Sequence, residues 1–323
     1  MSRIPLIIDT DVALGVEHEG RPRDIDDGFA IVEALNAPDL ELLGVTTVYG
    51  NGPHAEVNRV AKEIVELKAA DIPVVGGADE PLPEDGELPP ANDAVAFLAA
   101  ALRERPAHIA AIGPLTNIGL LVHHHPDVLP NVRSVIAVAG RSDGAEFYLG
   151  DKGPVRDFNF ENDPRAARLL LEAGVPVVLA GFELTSQITV TERDLEAIRG
   201  VGSETADYFH RNSLAWCRYW TDTFPADDGF HPWDSAAISW LRHPEYFVTE
   251  PRGWRIREAE SGDAIGVTAR PRTESTQPDG RARKPDWRLE TDPSWSGNQV
   301  TYCTGFTEDG KAAFVRDVVT TVY

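Results

Sequence analysis

Residues Ile4 to Leu35 read IPLIIDTDVALGVEHEGRPRDIDDGFAIVEAL. The apolar run Ile4–Ile8 has the length and branching of a buried strand, and it ends in Asp9-Thr10-Asp11. A second acidic group, Asp24, Asp26 and Asp27, stands directly ahead of Phe29–Leu35, which is apolar and helix-like. Five carboxylates therefore gather where one strand ends and one helix begins. Like charges at close range disfavour ionisation, so something must compensate them. Two compensations are open at this point. One is a hard cation such as Ca²⁺ or Mg²⁺, which takes oxygen ligands. The other is pairing with Arg21 and Arg23, which are close in sequence.

The pattern of that opening repeats along the chain. Apolar strands are expected at Leu6–Asp9, Leu42–Thr47, Pro73–Val75, His108–Ile112, Ser134–Ala139 and Pro176–Ala180. Helices are expected at Asp26–Leu35, Ala55–Leu67, Asn92–Leu102, Leu115–His123 and Pro164–Leu171. Such alternation predicts an α/β fold with a mostly parallel central sheet and helices on both faces. Ligands of such sheets gather at the carboxyl ends of the strands, which is where Asp9 and Asp11 fall. Thr189–Leu241 reads as helical and aromatic-rich, 250–297 as irregular strands or an excursion, and 298–319 as a final strand and helix. With no internal repeat and no clear linker, residues 1–323 are expected to form a single domain.

Bulk properties exclude several classes. A net charge of −22 disfavours nucleic acid and anionic membrane as partners. It suits a saline cytoplasm or simply an ordinary acidic composition. No apolar run reaches the length of a membrane span. The N-terminus lacks a signal-peptide pattern, and two cysteines make neither a disulfide framework nor a zinc motif. A cytoplasmic protein is expected. His123-His124-His125 ends a helix before Pro126 and reads as a polar helix end, not a metal site.

Further motifs fall at strand ends or helix starts. They are Tyr49-Gly50-Asn51, Gly113-Pro114-Leu115-Thr116-Asn117, Arg156-Asp157-Phe158-Asn159 followed by Asp163-Pro164, and Trp233-Asp234. Taken with Asp9-Thr10-Asp11 and Asp26-Asp27, their order through about 230 residues resembles the inosine-uridine-preferring nucleoside hydrolase family. GPLTN and FNxxxDP are the specific matches; a lone DxD is weak.

The resemblance implies a nucleoside-hydrolase-like fold and hydrolysis of the N-glycosidic bond of a ribonucleoside or related N-riboside to ribose and free base. It implies Ca²⁺ held by Asp11, Asp27, Asp234 and the carbonyl of Ile112, with Asp11 also the general base toward the Ca²⁺-held water. Asp26 and Asn51 would hold ribose hydroxyls, and Asp151, Asp157 and Asn159 the rest of the sugar. Asp9 would orient the loop. A homo-oligomer acting in purine or pyrimidine salvage is expected by the same analogy. The residue types suit the chemistry. N-glycosidic cleavage passes through an oxocarbenium-like state, which carboxylates stabilise, and a hard cation activates water and clamps hydroxyls.

The chain departs from the family pattern in four places. Residues 12–23 interrupt the first motif, since Asp11 to Asp27 spans 16 positions where the family has about 5, and this insert is a lid, a specificity loop or a surface excursion. Trp233 replaces the family's histidine, so His231 becomes a candidate proton donor, with stacking on Trp216, Trp220 or Trp233 as the alternative. PEDGELPPAND (83–93) replaces a base-pocket motif, and Asp157 replaces a glutamate. These departures fall on the base end of the expected site. Two rival readings stay open: a non-catalytic Ca²⁺-dependent nucleoside or ribose binder on the same scaffold, and a haloacid-dehalogenase-type phosphatase with Asp9 as nucleophile.

Overall fold

The computed structural model describes residues 3–148, 156–259, 286–321 and 323. In chain order, β1 (Ile4–Thr10) leads through a small hairpin, β2 (Glu17–His18) and β3 (Arg21–Pro22), into α1 (Asp26–Asn36). The alternation continues with β4 (Leu40–Thr47), α2 (His54–Leu67), β5 (Val74–Gly76), α3 (Asp93–Glu104), β6 (Ala107–Ala111), α4 (Thr116–His124) and β7 (Val132–Ala137). Next come β8 (Arg141–Ser142), α5 (Phe158–Asn162), α6 (Pro164–Glu172) and β9 (Val177–Ala180). A mainly helical segment holds α7 (Phe182–Thr185), β10 (Val190–Thr191), α8 (Glu192–Arg199), α9 (Glu204–Thr223), β11 (Gly229–Phe230) and α10 (Ser235–Arg242). The last elements are β12 (Phe247–Glu258), β13 (Trp287–Asp292), β14 (Gln299–Phe306) and α11 (Gly310–Thr320).

Ten strands form one sheet in the order β5-β4-β1-β6-β7-β9-β14-β12-β13-β8. It is parallel from β5 through β14, while β12 runs antiparallel to both of its neighbours. Strand β1 explains the layering. Leu6 and Ile8 pack into one apolar cluster with Phe29 of α1, Val57 of α2 and Phe209 of α9. Ile7 points the other way, into a second cluster with Leu98 of α3, Ile118 of α4 and Leu170 of α6. A strand apolar on both faces needs cover on both. The chain goes from β1 to β4 on one side and later places β6 on the other. The carboxyl end of β1 is therefore a topological switch point, where such sheets bind ligands.

Two segments differ from the sequence pattern. Residues 247–258 and 287–292, within or beside the expected excursion, are regular antiparallel strands of the main sheet. Their alternation is hard to see in the sequence because one face carries charge: Arg255 and Arg257 both pair with the buried Glu290, at 2.7 Å each. The insert at 12–23 is a rooted hairpin. Val12, Ala13, Leu14 and Val16 are buried, and its turn holds Glu19 (φ 54°) and Gly20 (φ 75°) in the left-handed region that a tight two-residue hairpin needs.

The GPLTN and NDP motifs lock the site's outer frame together. Asp163 caps α6 by accepting from the Ala166 amide at 2.9 Å. Its other oxygen accepts from the Leu82 amide at 2.9 Å and from Thr116 Oγ1 at 2.7 Å. Asp163→Ala would strand three buried donors, and we expect a loss of about 3 kcal/mol of unfolding free energy, read from urea titration.

Candidate active site

The site is built on the end of β1. Asp9, the last inward carboxylate of the strand, accepts from Thr46 Oγ1 at 2.5 Å and from Asn117 Nδ2 at 2.8 Å. Asn117 in turn binds the Thr47 carbonyl at 3.0 Å and accepts from the Ala78 amide at 3.0 Å. Asp9 thus ties β1 to β4 and to the loop after β5, and it does not line the cavity described below. Burial pushes its carboxyl up to about 7, with the Thr46 and Asn117 hydrogen bonds opposing.

Beyond Asp9 the carboxylates converge. Asp11 Oδ2 accepts from the Asn51 amide at 2.7 Å. Asp27 Oδ1 accepts from Thr10 Oγ1 and from the Asp11 amide. Asp26 Oδ2 accepts from the Asp234 amide at 3.0 Å, which joins the start of α1 to the start of α10. Oxygens of Asp26, Asp27 and Asp234 all lie within 4.8 Å of one another. The approach is so close that glycines are required around it. A Cβ on Gly50 would fall 1.9 Å from Asp11 Oδ2, and one on Gly113 would fall 3.1 Å from Asp11 Oδ1.

Above this floor opens a cavity of about 580 Å³. Asp26, Asn51, Ile112, Asp157, Asn159 and Asp234 reach it together from separate parts of the chain. Asn159 Nδ2 donates to the Ile112 carbonyl at 3.0 Å and to the Val138 carbonyl at 3.2 Å, so it is fixed by the ends of β6 and β7. Asp157 accepts from the Gly140 amide at 2.8 Å. One wall is aromatic: Trp216, Tyr219 and Trp220 of α9 stand with Trp233, and Trp220 meets Trp233 edge to face at 5.2 Å. Phe147 and Phe182, stacked at 4.2 Å, also line the cavity.

His231 is not brought to this cavity. It is buried behind Trp233, with Nδ1 against the Ile188 carbonyl at 2.5 Å and Nε2 near Asp227 at 3.3 Å. Burial holds its pKa below the ordinary value. Asp151 lies outside the described residues. Sequence patterns did not single out Phe147 or Phe182; a lone phenylalanine carries no signal of the wall it will join.

The donor set suits a hard divalent cation. All the donors are oxygens. Asp11 Oδ1 is buried with no hydrogen-bond partner. Burial, then the neighbouring charges, holds Asp11 and Asp234 well above the carboxylate range, and burial does the same at Asp26, where Asp24 adds its charge. Burial and the charge of Asp26 push Asp27 up to about 7. Arg23 offers no relief, since it pairs with Glu19 inside its own hairpin. A cation bound among Asp26, Asp27 and Asp234 would reverse this cost, and Asp11 stands beside them, its amide donating to Asp27.

Comparison with known proteins agrees with this geometry. The family model described as "Inosine-uridine preferring nucleoside hydrolase" matches residues 6–299. The chain belongs to this family. The pyrimidine-specific ribonucleoside hydrolase RihA of Salmonella typhimurium is 30% identical over 289 residues, 82% of this chain and 88% of that protein. The purine-preferring ribonucleoside hydrolase from Gardnerella vaginalis superposes with a TM-score of 0.75 at 20% identity, covering 98% of each chain. The plant nucleoside hydrolase PpNRh1 superposes with a TM-score of 0.74 at 22% identity, covering 98% of this chain and 99% of its own. The protein is thus a metal-dependent nucleoside hydrolase that cleaves the N-glycosidic bond of a ribonucleoside. The phosphatase reading falls with this result, and the structure gives the reason: Asp9 serves as a strut and is not presented to a substrate.

Gly50→Ala isolates the importance of clearance at Asp11. The added methyl must displace the carboxylate, and a misplacement of this size costs about 100-fold in turnover. We expect that loss in ribose release, with far-UV circular dichroism unchanged.

Proposed function

We propose that the cation is Ca²⁺ and that Asp11 is the general base. The observation that supports this reading most is the position of Asp11: Oδ1 has no partner, yet Oδ2 is fixed by the Asn51 amide beside the Asp26–Asp27–Asp234 cluster. An oxygen held in place and otherwise unused is suited to accept a proton. When bound, a hard cation supplies positive charge that eases ionisation of water and orients ribose hydroxyls.

The chain's own residues do the rest. Asp26 and Asn51 hold two ribose hydroxyls from the floor. Asp157 and Asn159 grip the far side of the sugar. Negative charge from this ring of acids favours the oxocarbenium-like state over the neutral riboside. The leaving base is held between the α9 tryptophans, Trp233 and the Phe147–Phe182 pair. Among the described residues no histidine lines the cavity, so the base departs on its own stability as an anion, helped by stacking. A good leaving group should therefore matter: 4-nitrophenyl riboside should turn over about tenfold or more faster than adenosine. We extend the reading to a cytoplasmic homo-oligomer in purine or pyrimidine salvage.

The test is release of reducing sugar from purine, pyrimidine and nicotinamide ribosides, with Ca²⁺ and after EDTA. Release that is lost with chelation and restored by Ca²⁺ is expected. Asp11→Asn should lower turnover by about 10³-fold with the fold retained. Undiminished turnover in that variant would show that Asp11 is not the base.

A further inference from the structure

The hairpin that interrupts the first acidic motif has so far only a structural account. It places Arg21 and Arg23 in the wall of a cavity whose floor is acidic. Strand β3, which carries Arg21, packs on α9, the helix of Trp216, Tyr219 and Trp220. The root of the hairpin is held there too, since a Cβ on Gly15 would collide with Asn212 of α9. The arginines therefore stand beside the aromatic wall. The sugar-gripping Asp157 and Asn159 come from the segment after β7 and β8.

Neither arginine is consumed by the acids around it. Among the described residues, Arg21 makes no ion pair. Among those residues Arg23 pairs with Glu19 alone, half-exposed on the same hairpin, and its Nε is buried with no partner among them. The third arginine of the cavity, Arg156, differs: Glu161 holds it at 2.6 Å. Burial and then the charge of Arg21 keep the Arg23 guanidinium below its ordinary value. Two neighbouring guanidinium groups gain most from an anion that bridges them, and they recognise planar oxyanions in a bidentate way.

We infer that Arg21 and Arg23 form an anion-recognition element at the base end of the cavity, selecting an N-riboside whose leaving group carries a negative oxyanion such as a carboxylate. The inference rests on the hydrolase reading above and names the substrate class for that site. An acidic cavity would otherwise repel such a substrate, and the inserted hairpin supplies the two positive charges where the leaving base would sit. With neutral nucleosides Arg21 would gain no ionic partner and Arg23 would keep only Glu19.

Three substrates decide it: uridine, orotidine (the same base with a carboxylate) and uridine 5′-monophosphate (an anion on the sugar). We expect orotidine to exceed uridine by about tenfold or more in kcat/KM, mainly through KM. Arg21→Gln with Arg23→Gln should erase that ratio, and R21K/R23K should restore part of it. Equal kcat/KM for uridine and orotidine would overturn the inference while leaving the hydrolase reading intact. A preference for the 5′-monophosphate alone would place the anion on the sugar and also overturn it. If no riboside is cleaved, the hydrolase mechanism fails, and calorimetric titration with orotidine still decides this point. Weaker binding in the Arg21→Gln, Arg23→Gln variant supports the anion element, and equal or absent binding in both proteins contradicts it.

Discussion

The structure turns on one electrostatic constraint: Asp11, Asp26, Asp27 and Asp234 are buried together at the end of β1, and among the described residues no arginine or lysine pairs with them. Isolated carboxylates do not stay ionised out of water, and placing several together raises the cost. Much of the surrounding architecture follows from holding them there. Two helix starts, α1 and α10, are joined through the Asp26–Asp234 contact. Gly50 and Gly113 leave room that no side chain could share. Asp9 and Asn117 fix the strand ends from which the cluster projects. A hard cation turns this strained arrangement into a site that binds a sugar and tolerates positive charge developing on it.

The same constraint separates the two ends of the cavity. One end, where we place the ribose, is made of short acids and amides at strand ends and helix starts. The other end, where we place the base, is made of large aromatic rings on α9 and beside α10, and of an inserted hairpin. Rings and inserted loops can change without disturbing the cation cluster, because they share few hydrogen bonds with it. That division explains how one scaffold includes relatives named for pyrimidine and for purine ribosides.

How much of this was legible in the sequence differs between those two ends. Strand β1 and helix α1 are plain in the pattern because apolar runs with terminal acids have few other readings. The parallel sheet follows from five such strand–helix repeats and a sixth strand. Asp26, Asn51, Asp157, Asn159 and Asp234 all meet at one cavity, since short motifs at strand ends and helix starts are placed by the sheet itself. At the base end sequence spacing misled. His231 is two residues from Trp233, yet its ring lies behind that side chain and is spent on Ile188 and Asp227. Strands β12 and β13 were hard to read because Arg255, Arg257 and Glu290 put charge where alternation would show apolar residues. Contacts between such distant segments are decided by packing, and no local pattern encodes them.

The most direct measurement is calorimetric titration of chelator-stripped protein with Ca²⁺ in buffers of different ionisation enthalpy, which reports affinity, stoichiometry and protons released together. If a cation compensates the carboxylates, one Ca²⁺ binds per chain. Protons leave as it binds, because burial keeps part of the cluster protonated without it, and Asp234→Asn weakens binding by about tenfold or more. No saturable binding, or binding unchanged in Asp234→Asn, would contradict the account.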